Sequence, residues 1–167
     1  MAYRNKTYVA FDGDEDMWAY AYMIGWKQSD NSEFNFYNAH DIKQARDSSS
    51  EETIKRSLRA RMDSSKVFII LVGESTKNLY RYVRWEIELA LSKGLPIIVV
   101  NLDKKRSINN EVCPPILRNE LAIHISFNSK IIQFALENWG ESHYSKIKDG
   151  ASGSHQYNKS VYESLGL

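Results

Sequence analysis

Apolar and polar positions follow two rhythms along the chain, and the points where the rhythm changes mark the elements. Thr7-Tyr-Val-Ala-Phe11 is a short run of β-formers closed by Asp12-Gly13, which predicts a buried strand. Residues 17–26 are amphipathic and follow Asp14-Glu-Asp16, whose carboxylates suit a helix N-terminus. Trp18, Tyr22 and Trp26 fall at i, i+4 and i+8, so they share one face, expected to be core. Ser29-Asp-Asn-Ser32 predicts a turn, and Phe34-Asn-Phe-Tyr37 alternates as a second strand does. Residues 38–50 are polar and predict a long loop. Ser50, Glu51, Glu52 and Thr53 open a second helix that Ile54 and Leu58 carry to about residue 62.

Lys66-Val-Phe-Ile-Ile-Leu-Val72 is apolar throughout, the pattern of a strand covered on both faces. Residues 80–92 form a helix with Val83, Ile87, Ala90 and Leu91 inward, closed by Lys93-Gly94. Residues 96–102 and 122–126 are further strands, separated by a polar loop containing Pro114-Pro115. Residues 129–139 form a helix that buries Ile131, Ile132, Ala135 and Leu136. Beyond Gly140 the composition shifts to Ser, Gly, His, Lys and Tyr. There residues 150–154 predict a flexible connector and residues 157–165 a loosely attached helix. The expected division is a domain over residues 1–139 and a C-terminal extension over 140–167. Apolar strands alternating with helices call for an α/β fold with a parallel sheet between two helical layers. Five strands suggest the flavodoxin-like order 2-1-3-4-5, with ligands held past the carboxyl ends of the strands.

Length and composition change this picture little. The chain has 167 residues, in the range of one domain, with ordinary hydrophobic content. A net charge of +1 gives no general reason to expect nucleic acid or an anionic membrane as partner. Cys113 is the single cysteine, which leaves no internal disulfide and no cysteine-based zinc site. Without a base partner it reads as inert. No apolar run approaches the roughly 20 residues that span a bilayer, and the first residues lack an apolar signal core, so a cytoplasmic location is expected.

Several chemistries are excluded by the loops. Neither Gly-x-Gly-x-x-Gly nor a P-loop is present. The loop after the first strand, Asp12-Gly-Asp-Glu-Asp16, would repel the phosphate that a flavodoxin binds there. The third strand ends in Val72-Gly73-Glu74, without a phosphoreceiver's aspartate. Gly-x-Ser-x-Gly and His-Glu-x-x-His are both missing, and the four histidines are scattered. His124 lies in a strand and reads as structural, and His40 is a lone loop histidine.

The positive signal is the third helix and the strand after it. Tyr82-Val-Arg-Trp-Glu-Ile87, followed by Gly94-Leu-Pro-Ile-Ile-Val-Val100, resembles the TIR-like family of bacterial Thoeris antiphage systems, the ThsB type. Val9-Ala-Phe-Asp12, Phe34-Asn-Phe-Tyr-Asn38 and Lys66 to Gly73 fit the same pattern, so the likeness spans roughly residues 6–126. The chain departs at Asp12, where relatives often carry histidine, and at Ala10, where they often carry serine. The resemblance implies a TIR-like fold and an enzyme that cleaves the nicotinamide–ribose bond of NAD. NAD would be its substrate, with no prosthetic group and no metal. The implied product is a cyclic or conjugated ADP-ribose that activates a separate effector protein. A phage-derived trigger and self-association into a homo-oligomer on activation belong to the same expectation, since isolated catalytic TIR domains are often quiet until assembled.

The implied catalytic residue is Glu86. Breaking an N-glycosidic bond develops positive charge on the ribose, which a nearby carboxylate stabilises. The nicotinamide leaves neutral and needs no strong acid. Without the surrounding block, Glu86 would read as a surface glutamate supporting its helix. Tyr82 shares its side of the helix, as does Leu89. Phe11 and Trp85 are candidates to stack on the substrate, and Asn38 and Asp12 to contact it. Arg84 either pairs with Glu88 at i+4 or reaches a diphosphate. The Asp12 to Asp16 carboxylates cap the first helix or hold a divalent metal, capping being the commoner use. A competing reading is a non-catalytic adaptor acting through protein contacts. A third uses the Lys77, Arg81, Arg84 stripe to bind RNA, against the near-neutral charge.

Overall fold

The computed structural model describes residues 6–28, 36–37 and 50–167. Along the chain these form β1 (Thr7–Ala10), α1 (Met17–Gln28), β2 (Phe36–Tyr37), α2 (Glu51–Asp63), β3 (Val67–Val72), α3 (Val83–Ser92), β4 (Ile97–Asn101), β5 (Ala122–Ser126), α4 (Ser129–Lys148), β6 (Ser154–His155) and α5 (Lys159–Ser164). Single 3₁₀ turns at Thr76–Asn78 and Pro115–Leu117 precede α3 and β5. All strand pairs are parallel, in the order β2-β1-β3-β4-β5-β6. The expected five-strand order is present, and β6 lengthens the sheet at its far edge.

The strand period of two divides the core. Val67, Ile69 and Leu71 of β3 face one way, with Val9, Ile98, Val100, Ile123 and Ile125, and meet α1, α4 and α5. Phe68, Ile70 and Val72 face the other way, with Tyr8, Ala10, Ile97 and Val99, and meet α2 and α3. Because both faces are covered, these strands have no polar alternation to show, which is why they read as continuous apolar runs. Register places Tyr8 of β1 beside Phe68 of β3, and Phe68 beside Ile97 of β4.

Helix boundaries follow local chemistry. The Ser50 hydroxyl accepts from the Thr53 amide at 3.2 Å and starts α2, and Asn128 accepts from the Lys130 amide at 2.8 Å and starts α4. Gly94, at φ +66°, supplies the left-handed residue that ends α3. The helix expected from residue 80 begins instead at Val83, because residues 76–82 are taken up by the 3₁₀ turn and its exit.

Three expectations are corrected. The helix expected to end at residue 139 runs on to Lys148. Trp139 and His143, at i and i+4, are almost fully buried, and that burial outweighs the roughly 1 kcal/mol cost of a helical Gly140. The segment after it is not loosely attached. Tyr162 of α5 is fully buried, its ring lies under the Arg106 guanidinium at 4.1 Å, and its hydroxyl accepts from the Ser126 amide at 3.4 Å. The Trp18, Tyr22, Trp26 stripe is core only in part. Trp26 packs half-buried against the core, whereas Trp18 and Tyr22 are 47% and 58% exposed, and all three rings gather around Phe127. Among the described residues, no helix is long and apolar enough to cross a membrane.

Candidate functional site

Glu86 lies in the first turn of α3, its amide bonded to the Tyr82 carbonyl at 2.7 Å. It is not the surface residue that its sequence suggests in isolation. Its side chain is fully buried, in the layer between the sheet and α2 and α3. The Tyr8 hydroxyl, carried by β1, donates to Glu86 Oε2 at 2.5 Å. Burial pushes the Tyr8 phenol well above its ordinary value, and the neighbouring Glu86 carboxylate adds to this, with the Arg61 cation opposing. Tyr8 therefore keeps its proton and acts as a donor.

Burying a carboxylate costs several kcal/mol unless hydrogen bonds compensate. Tyr8 meets that requirement from a fixed position, since its ring stacks on Phe68 at 5.7 Å and 20° in the centre of the sheet. Tyr82, one turn before Glu86, is 6% exposed, and its hydroxyl is buried without a hydrogen-bond partner. Leu89 lies on the same buried side of α3.

The remaining expected contacts are dispersed. Phe11 lies on the opposite face of the sheet, stacked on Tyr20 at 4.6 Å. Asp12 is buried, and its carboxylate accepts from the amides of Asp14 and Glu15 and from the Ser75 hydroxyl at 2.6 Å. It therefore ties the β1 loop to the loop after β3. Trp85 is half-buried beneath Lys55 and Arg59, whose charged ends sit 5.3 and 5.7 Å from its ring. Arg84 is exposed and bonded to Glu88 at 3.1 Å, the ion-pair alternative of the two open in the sequence. The rest of the basic stripe is also engaged, Lys77 with the Glu111 carbonyl and Arg81 with Glu51. Asn38 and His40 lie outside the described residues.

Two residues near these positions were missed in the sequence. Tyr8 carried a readable signal: a polar-tipped aromatic in a strand buried on both faces needs a partner for its hydroxyl. Asp16 was grouped with the capping carboxylates but is 7% exposed, and its Oδ2 is buried without a hydrogen-bond partner. Burial, then Asp12 and Glu15, push its carboxyl up to about 6. Its carboxylate lies where a side chain at Gly73 would project: a Cβ there would sit 2.5 Å from Oδ2.

Among the described residues, a cleft of about 90 Å³ lies among Leu79, Tyr80, Arg84, Ile87, Pro115 and Ile116. Another, along α2, is bordered by Glu51, Glu52, Lys55, Arg56 and Arg59. Glu86 is not in the lining of either cleft.

A family model described as the TIR-like domain of Thoeris protein ThsB matches residues 8–107, more than half of the chain. The matched segment runs from β1 past β4 and contains Tyr8, Tyr82 and Glu86. This chain belongs to the TIR-like domain family of the Thoeris protein ThsB.

Proposed function

We propose that this Thoeris TIR-like protein consumes NAD, using Glu86 to cleave the nicotinamide–ribose bond and release a cyclic or conjugated ADP-ribose signal for a separate effector. The observation that carries this reading is a buried glutamate side chain hydrogen-bonded by Tyr8 in the first turn of α3, inside the segment that matches the family. A carboxylate there would offset the positive charge that builds on the ribose as nicotinamide departs. Its low-dielectric surroundings strengthen that attraction relative to water. Tyr82, with an unsatisfied buried hydroxyl one turn away, is the candidate donor to the substrate. The full burial of Glu86 fits a resting protein that opens before it turns over.

The test is nicotinamide release from NAD by protein activated through phage infection or self-assembly, with products followed by mass spectrometry. Glu86→Gln keeps the side-chain shape and an acceptor for Tyr8 while removing the charge. Release should fall at least about 100-fold, the scale on which a single electrostatic stabiliser matters. Undiminished release from Glu86→Gln, or none from any activated wild-type form, defeats the enzymatic reading and leaves the adaptor.

A further inference from the structure

We propose that Tyr8 is a positioning residue for the reaction, holding the Glu86 carboxylate in its working place and orientation through the hydrogen bond to Oε2. This rests on the catalytic reading of Glu86. Its geometry is independent of that reading. Both side chains are fully buried, and they are brought together across 78 positions of sequence at 2.5 Å. A glutamate on a first helical turn has three side-chain torsions to set. The bond from the sheet restricts that freedom, and the freedom lost before reaction need not be lost during it.

The alternative role for such a bond is a latch that keeps the carboxylate away from substrate until activation. The placement of Tyr8 argues for positioning. It sits on β1, paired on both sides by β2 and β3, with its ring stacked on Phe68. Glu86 sits on a helix packed against that same sheet through Val83, Ile87 and Ala90. Neither partner lies on a loop that could swing away during opening, so the bond persists in the open state. A latch would need one partner on a mobile element.

Tyr8→Phe tests the proposal, because it keeps the ring and deletes only the donor. The expected result is a kcat for nicotinamide release lower by about 10- to 100-fold, with KM within about twofold, since the hydroxyl acts through Glu86 and not on the substrate. Urea midpoints of the wild type, Tyr8→Phe, Glu86→Gln and the double variant provide a second readout that does not depend on turnover. If the two side chains act as a pair, the single substitutions fail to add. The double variant, with no buried charge left unsupported, also guards against a folding failure of Tyr8→Phe. Wild-type kcat in a folded Tyr8→Phe, a loss expressed wholly in KM, or a rise in resting release as a latch would give, each overturns the proposal. Absence of turnover in every activated wild-type preparation removes the reaction, and the positioning role with it. In that case non-additive midpoints still report the pair, so the two failures are distinguishable.

Discussion

Asp16 shows how one side chain sets constraints on its neighbours. Its carboxyl is pushed up to about 6 by burial first, then by Asp12, Glu15 and Glu74, with the Thr76 hydroxyl acting in the opposite direction. The folded value lies above the ordinary 3.8, so the folded state holds the proton more tightly than the unfolded chain. The associated stability is present below about pH 4 and is lost as pH rises through 6. At neutral pH the ionised group opposes folding. Asp16→Asn should therefore stabilise the protein at pH 7.5, by about 1–2 kcal/mol after allowance for solvent screening, read as a higher urea midpoint. An unchanged or lower midpoint would count against it. The same carboxylate explains Gly73. A Cβ would meet both Asp16 oxygens at 2.5–2.6 Å, so Gly73→Ala should cost about 1–3 kcal/mol, and less once Asp16 is also shortened to alanine.

At the scale of elements, the last 30 residues behave differently from their composition. A polar, glycine-bearing stretch delivers β6 to the sheet edge beside β5, through Ala122 with Ser154 and Ile123 with His155. α5 then returns across the sheet and seats Tyr162 in the core, while Phe134 of α4 meets Tyr157 edge-on at 5.1 Å. Tyr162→Ala should cost about 3–5 kcal/mol, as removal of a buried aromatic does. On a domain of this size that corresponds to a melting temperature lower by on the order of 10 °C. A shift of only a degree or two would mean that the segment is dispensable to the fold. The Arg84–Glu88 pair lies at the opposite extreme. Both side chains are about half exposed, so Arg84→Ala should move stability by less than about 0.5 kcal/mol.

Across the whole molecule, the titrating groups oppose one another. Burial lowers His124 to about 4 from 6.5, and it also lowers His143, against the Gly94 carbonyl bond that supports the charged form. These histidines are held neutral when folded and take up protons when unfolded. Their contribution is present above pH 6.5 and is lost as pH falls towards 4. Asp16 works with the opposite sign over nearly the same window. The wild type should therefore vary little in stability between pH 6.5 and 4.5, whereas Asp16→Asn should lose stability steadily across it. Parallel profiles for the two proteins would contradict this balance.

Much of the architecture is legible in the amino-acid sequence. Six-residue apolar β3 and five-residue β4 are unmistakable because both faces of the sheet are covered, and the alternation of such strands with helices leaves few topologies open. The Arg84-Trp85-Glu86-Ile87 block pointed to the helix and the carboxylate. Helical spacing put Glu86 on the side of Tyr82 and Leu89, but spacing does not say how deeply a glutamate on that side is covered. Nor could it pair Glu86 with Tyr8, which lies on another element. Trp18 and Tyr22 failed in the opposite sense. Their spacing defines a face, but spacing does not say whether anything packs on it. The sequence by itself carried the periodicity that gave most element types and suggested the strand order, and the Tyr82 to Ile87 block that resembled the family. Burial, the Tyr8–Glu86 bond and the Asp16–Gly73 contact were decided only by tertiary structure, since each depends on distances between residues that no local rhythm encodes.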